Sequence, residues 1–383
     1  MKVVYKIADN IISSLGITTA ENMAAINHGQ SGITSHIDRY KIPEPFQASV
    51  VNFERLDSYF RTFAGESQYT SFEQMLISSV YEASVHTNIE LDSPETLFVI
   101  STTKGNVSLL EPENENKYGH DRVNLWASAD EIVSFFRNPN IPVIVSHACI
   151  SGVSALLVAK MYLESGKYKN AVVTGGDVLS KFIVSGFQSF KALSPTRCKP
   201  FDSLRDGLSL GEGAATIILG MAEESDLPEN SIILNAGATS NDANHISGPS
   251  RTGEGLFRAI MCTIDGIDTS SFAFINAHGT ATTFNDEMEA VALSRANLEH
   301  IPVNSFKGYI GHTLGAAGLI ETIICSHSLI DGKYVKCLGF NTLGVSKNIK
   351  VITEPVAFAG TECLKMASGF GGCNAVIHLK KHI

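Results

Sequence analysis

The chain has seven cysteines, an odd number, and no two of them are spaced C-x-x-C. That absence argues against a disulfide framework and against a zinc site of ordinary spacing, and it points to reduced thiols in a cytosolic protein. Charge is also sparse. Only 18% of residues are charged, the formal net charge is -10 and no basic run or arm occurs. This balance excludes a general nucleic-acid or acidic-surface binder and leaves room for a local basic patch. The first residues contain no apolar core long enough for a signal peptide. The apolar stretch around Leu319 to Leu329 is interrupted by Glu321 and His327, so no window is expected to approach a membrane span. Low-complexity tracts and repeats of short fixed period are missing too. The expectation is a soluble, cytoplasmic protein with no membrane and no nucleic-acid partner.

What is present reads as globular. Hydrophobic residues make up 44% of 383 residues, ample for a substantial core in one large or two ordinary domains. Short strand-like runs at 97–101, 143–146, 171–174, 215–219, 231–235, 272–276 and 375–379 alternate with longer helical patterns. The helical patterns cover 71–86, 130–137, 149–165, 255–265, 286–297 and 313–330. Alternation of this kind predicts an α/β architecture. The polar segment from Met221 to Asn230, with charge and a proline but no apolar period, is the natural joint. It divides the chain into residues 1–222 and 223–383. Residues 111–122 read as an exposed excursion.

Chemistry concentrates at one cysteine and two distant histidines. Cys149 lies in Val145-Ser-His-Ala-Cys-Ile-Ser-Gly152, after an apolar run and before an apolar helix that ends near Gly166. A strand, tight turn and helix here put the thiol at a helix N-terminus, where unpaired amides and the macrodipole favour a thiolate nucleophile. His278 lies in Asn276-Ala-His-Gly-Thr-Ala-Thr282, and His312 in Lys307-Gly-Tyr-Ile-Gly-His-Thr-Leu-Gly-Ala-Ala-Gly318. Both follow strand-like segments and are framed by glycines that let backbone approach closely. His147, His245 and His327 lack such framing and are assigned structural roles.

Together with Gly369-Phe-Gly-Gly-Cys-Asn374, Lys199-Pro-Phe-Asp-Ser-Leu-Arg-Asp-Gly207 and Gly211-Glu-Gly-Ala214, these motifs closely resemble the β-ketoacyl-[acyl carrier protein] synthases. More narrowly, they resemble the elongating Cys-His-His branch of the thiolase-fold superfamily, weakly before residue 95 and strongly after 140. The resemblance implies a five-layered thiolase-like fold of two similar α/β halves. Residues 1–222 would carry the nucleophilic cysteine and 223–383 the two catalytic histidines. It implies an acyltransferase that condenses malonyl-[acyl carrier protein] with an acyl group held on Cys149, in fatty-acid, polyketide or aryl polyene synthesis. The implied partners are acyl carrier protein and a second subunit, as a homodimer or a ketosynthase heterodimer. No metal or resident cofactor is implied, because the substrates ride on phosphopantetheine.

By the same resemblance His278 and His312 stabilise the enolate, Lys307 orients the site and Glu321 pairs with Lys307. Backbone amides of Cys149 and Phe370 form an oxyanion hole, Thr280 and Thr282 hold the pantetheine arm, and Ser368 and Phe370 stand at the gate. An unpaired carboxylate on the apolar helix that carries Glu321 would be costly to bury, so a partner is expected on physical grounds alone. The sequence departs from the family pattern at Ser368, where an aromatic residue is usual, and at Cys373, where threonine is common. Lys191, Arg197, Lys199 and Arg205 are candidates for a basic docking patch. Three other readings are weaker. A coenzyme A thiolase would need a second catalytic cysteine in a setting unlike that of Cys373, an initiating synthase would have asparagine at position 312, and a cysteine hydrolase leaves Lys307 and the second histidine unexplained. A chain-length factor usually lacks the nucleophile, although this chain could be the active half of such a pair.

Overall fold

The structure is a computed structural model that describes residues 1–383 except Ser67 and 112–116. Within the excursion at 111–122, residues 112–116 lie outside the described residues, and the rest is exposed or half-buried, in turns and the start of the short 3-10 helix His120–Val123. The main sheet has eleven strands: β1 (Lys2–Ile12), β2 (Thr96–Ser101), β3 (Val143–Val145), β4 (Asn170–Asp177), β5 (Gly213–Glu223), β6 (Ile232–Asn241), β7 (Phe272–Asn276), β8 (Pro302–Asn304), β9 (Lys350–Val351), β10 (Glu362–Gly369) and β11 (Cys373–Lys381). Their order is β9-β8-β7-β10-β11-β6-β1-β5-β4-β2-β3.

The sheet repeats itself about the short antiparallel pair of β1 with β6. Outward on one side, β1 pairs antiparallel with β5, β5 antiparallel with β4, and β4, β2 and β3 run parallel. Outward on the other, β6 pairs antiparallel with β11, β11 antiparallel with β10, and β10, β7, β8 and β9 run parallel. The sequence offers no visible duplication, yet the topology is duplicated.

Two helices form the middle layer, α1 (Ser151–Glu164) after β3 and α2 (Ala317–Asp331) after β8. Each packs against strands of both sheet runs. The central core joins Val153, Leu156 and Leu163 of α1 to Leu319, Ile320 and Ile323 of α2 and to inward residues of β2, β4, β5 and β11. Separate apolar clusters cover the outer faces, one under the Ser71–Ser84 helix and one under the Glu254–Thr263 and Thr283–Arg295 helices. Helix, sheet, helix, sheet and helix therefore stack in that order.

The two core helices touch at glycines. A Cβ on Gly318 would lie 2.5 Å from the Val153 amide nitrogen, and one on Gly152 would lie 2.7 Å from that of Leu319. No side chain fits between them. The stretch Leu314–Asp331 is long and apolar enough to span a membrane, which corrects the expectation that no segment approaches one. It is 83% buried inside the protein, so its apolarity belongs to the core.

Several elements were not legible beforehand. β1 reads poorly because Lys6, Asp9 and Asn10 interrupt it. In the fold Lys6 pairs with Asp9, and the Asn10 amide donates to Ile17 O at 3.1 Å. The small sheet of Ile33–His36, Phe46–Ser49 and Leu210–Gly211 was missed, as were the helices Thr19–Asn27, Phe53–Ala64 and Lys181–Ser189.

The glycine contact sets a stability test. Gly318→Val should cost at least the ~1–3 kcal/mol typical of overpacked cores. Gly186→Ala, in an open stretch of the Lys181–Ser189 helix with nothing within 4 Å, should gain ~0.4–1 kcal/mol. Urea titration of both variants checks this, and equal midpoints would refute the packing argument.

Candidate active site

Three side chains from remote parts of the chain meet at the mouth of the α1–α2 layer. The Cys149 thiol and one ring nitrogen each of His278 and His312 lie within 4.8 Å of one another, and all three residues are buried. The imidazoles stand edge to face, 5.0 Å between centroids at 84°.

The local sequence explains each placement. Ala148 adopts a left-handed backbone, φ 46°, just before the cysteine, which makes the turn sharp. Ser151 closes that turn by accepting from the His147 amide at 2.8 Å and donating to Ala148 O at 2.6 Å. His278 follows β7, and its amide and that of Gly279 donate to the two oxygens of buried Glu289 at 2.6 and 2.7 Å. The loop carrying His312 is tied to the strand Leu210–Gly211: the His312 amide donates to Ser209 O at 2.8 Å, and Gly211 donates back to His312 O at 3.0 Å. Behind them, buried Asp177 at the end of β4 accepts from Thr102, Thr103 and Lys104 on one side and from the Gly315 amide, at 2.7 Å, on the other.

The hydrogen bonds fix the tautomers. The Lys307 ammonium lies 3.4 Å from His278 Nδ1 and the Leu314 amide donates to His312 Nδ1 at 3.4 Å, so both Nδ1 atoms accept and both Nε2 atoms carry the proton. Burial, then the Lys307 charge, hold both imidazoles well below their ordinary pKa, which keeps them neutral. Three such donors are also a metal-like cluster. The neighbouring Lys307 ammonium opposes a second cation there.

Lys307 is fully buried and donates to Glu321 Oε1 at 2.6 Å, as expected. The sequence reading missed the other half of this group: Lys365, also fully buried, lies 2.7 Å from Glu321 Oε2. A lone lysine in the strand Cys363-Leu-Lys-Met-Ala367 was the available signal. Cys149 itself differs from expectation. α1 begins two residues after it, and burial pushes the thiol up to about 11, with Lys307 and the Phe370 amide pulling the other way. The resting group is a thiol rather than a thiolate.

A cavity of about 480 Å³ opens onto this trio and is lined by Thr280, Thr282 and Phe370 among others. Thr280 and Thr282 hydroxyls lie 2.9 Å apart on its wall. The Phe370 ring, 37% exposed, stacks on Phe187 at 5.7 Å and meets Phe190 edge-on at 5.4 Å. Those two phenylalanines were missed because the short helix that carries Phe187 and ends at Phe190 was missed. Ser368 lines the cavity but is buried, and its hydroxyl donates to Asn374 Oδ1 at 2.8 Å. That corrects its reading as a gate, since the side chain is fixed in the wall and the aromatic mouth is built from Phe187, Phe190 and Phe370. His245 also lines the cavity, and its Nδ1 accepts from the Ser247 and Gly248 amides at 3.2 and 3.1 Å, which holds its own loop. In the proposed basic patch, Lys191 and Arg197 are exposed and Lys199 is half-buried. Arg205 is not available, because its guanidinium donates to Gly344 O at 2.5 Å and Asp202 O at 3.0 Å with only 6% of the side chain exposed.

Residues 7–225 match the beta-ketoacyl synthase N-terminal domain, and residues 230–341 match the beta-ketoacyl synthase C-terminal domain. The chain belongs to the beta-ketoacyl synthase family. Among curated relatives, the 3-oxoacyl-[acyl-carrier-protein] synthase 2 of Staphylococcus aureus is 32% identical over 250 residues, 61% of this chain and 60% of that protein. The putative mitochondrial 3-oxoacyl-[acyl-carrier-protein] synthase of Schizosaccharomyces pombe is 30% identical over 259 residues, 62% of this chain and 60% of that protein. The matched stretch thus spans 60% of the length of these curated relatives. A beta-ketoacyl synthase from Burkholderia phymatum superposes over 100% of both chains with a TM-score of 0.85 at 22% identity. A chain of the ketosynthase–chain length factor complex from Xenorhabdus doucetiae gives 0.85 at 22% identity, over 99% of this chain and 98% of that one. The fold of this family member is the thiolase-like fold, in five layers.

The neutral imidazoles can be tested directly. A folded-state pKa below the unfolded value of about 6.5 means that the unfolded chain binds protons the native state refuses. The stability linked to these groups is therefore present above pH ~6.5 and lost as pH falls below it. The ring C–H resonances of His278 and His312 should stay unshifted from pH 8 down to about 6, and a titration step near 6.5 in either would contradict the burial argument.

Proposed function

We propose that this chain catalyses the decarboxylative Claisen condensation of malonyl-[acyl carrier protein] with an acyl group held on Cys149. The observation that carries the reading is the meeting of one buried thiol with two neutral, Nε2-protonated imidazoles at the end of an apolar-mouthed cavity. A thiol with a single imidazole would serve hydrolysis equally well.

In the first half-reaction Cys149 Sγ attacks the carrier thioester. The new acyl–sulfur bond forms, the carrier thiolate leaves, and the thiol proton passes to it. In the second, malonyl thioester loses its carboxylate as carbon dioxide, and the electron pair becomes an enolate whose oxygen accepts hydrogen bonds from the Nε2–H groups of His278 and His312. The enolate carbon attacks the Cys149 thioester. The tetrahedral oxyanion is held by the amides of Cys149 and Phe370, and its collapse frees the cysteine thiolate, which takes a proton from water. Lys307 aims His278 and keeps it uncharged, and Glu321 holds Lys307. Thr280 and Thr282 hydroxyls line the path of the pantetheine arm, and no resident cofactor or metal is needed. Phe187, Phe190 and Phe370 screen the entrance.

Among the described residues, the strand β3 ends the sheet with one edge unpaired. Exposed Ile141 precedes it, and exposed Trp126 and Met161 lie on helices that pack beside it. An apolar sheet edge of this kind is a liability unless covered. We assign it to a second subunit, either another copy or a chain-length factor like that of the Xenorhabdus doucetiae complex, with action in the cytoplasm.

Cys149→Ala should abolish condensation and leave malonyl decarboxylation, while His278→Ala and His312→Ala should each slow decarboxylation about a hundred-fold. Mass spectrometry of acyl adducts and release of labelled carbon dioxide read the two steps, and acylation at Cys373 would refute the assignment. The double variant Ile141→Asp/Met161→Glu should run as a single chain in sedimentation, whereas an unchanged mass would move the subunit contact elsewhere.

A further inference from the structure

Lys365 is buried at 0% exposure between Leu364 and Met366, where an apolar side chain would cost nothing to desolvate. It sits five residues before Phe370 on the strand β10 that leads into the glycine-rich loop. Its ammonium lies 2.7 Å from Glu321 Oε2, off the angle of a hydrogen bond, and donates to Met366 O. Lys307 holds the other oxygen of the same carboxylate at 2.6 Å and reaches His278 Nδ1 at 3.4 Å. Three elements thus bring two cations and one anion together away from water, with one positive charge in excess. Desolvating an ion costs several kcal/mol even after relaxation, so an excess charge is a poor choice for stability. The strand position beside Lys365 is Asn276, whose Oδ1 is buried with no hydrogen-bond partner. Oxygens of Glu321 and Met366 therefore border a cation that the chain supplies itself.

We propose that Lys365 is a positioning residue: its ammonium acts as an internal cation that pins Glu321, keeps Lys307 aimed at His278, and sets a positive field behind the two imidazoles. The proposal rests on the condensation reading above. The field also bears on protonation, because Lys365 and Lys307 both disfavour charge on His278 and His312. The remaining titratable groups near Lys365 are the buried thiols of Cys325 and Cys363.

The test measures malonyl-carrier decarboxylation by the full chain against Lys365→Met and Lys365→Ala, with folding followed by circular dichroism. Lys365→Met should lower kcat about ten-fold or more at unchanged KM, a loss of roughly 1.4 kcal/mol in the barrier. Its acid limb should move to higher pH, because the imidazoles protonate more readily once the cation is gone. Lys365→Ala should recover several-fold with methylammonium chloride and not with tetramethylammonium chloride at equal ionic strength. Unchanged kcat and an unmoved acid limb in a folded Lys365→Met would overturn the proposal. So would unfolding of both variants, since the lysine would then be holding the fold rather than the site. Failure of the unmodified chain to decarboxylate malonyl carrier would instead strike the condensation reading.

Discussion

The contact of α1 with α2 at Gly152 and Gly318 is the constraint on which the site depends. Cys149 stands just ahead of one helix and His312 ahead of the other, so the distance between thiol and imidazole is set by how closely the two helix starts approach. With Cβ positions 2.5 to 2.7 Å from facing amides, that approach is at the limit backbone allows. Asp177 reinforces it by accepting from the Thr102 to Lys104 turn and from Gly315 together. The apolar bulk of both helices then seals the interior, which desolvates the site groups and keeps both histidines and the thiol uncharged at rest.

That seal changes how the electrostatics are read. The sequence suggested a thiolate favoured by a helix terminus, but the first helical residue comes two positions later and burial dominates. A neutral thiol beside neutral imidazoles means that charge appears only as substrate carbonyls and carboxylates bring it in. The fixed charges, Lys307, Lys365 and Glu321, are buried behind the trio, with the Lys307 ammonium 3.4 Å from His278 Nδ1.

The sequence disclosed the chemistry better than its supports. Cys149, His278 and His312 were legible because each lies in a glycine-framed or turn-bounded local setting, whereas the roles of Lys307 and Glu321 came from the family resemblance. Lys365 was not, since a single lysine in a short strand normally reads as a solvent-facing position. Phe187 was hidden in a nine-residue helix interrupted by Gly186, and Phe190 caps the end of that helix. β1 was hidden because its polar residues satisfy one another through the Lys6–Asp9 pair and the Asn10 amide, contacts between positions that periodicity does not connect. Ser368 misled for a related reason, because its hydroxyl partner Asn374 lies across the β10–β11 hairpin.

The repeated topology gives Cys149 and His312 the same address. Each follows a parallel strand near the outer part of its run and precedes the core helix of that run. One architectural slot, used twice, holds a thiol on one side and an imidazole on the other. A shift of either core helix would therefore alter the spacing of thiol and imidazole, and with it both steps of the proposed condensation. Separate control of the two proposed steps would have to come from parts outside the repeat, such as the Lys181–Ser189 helix, whose Phe187 lines the cavity.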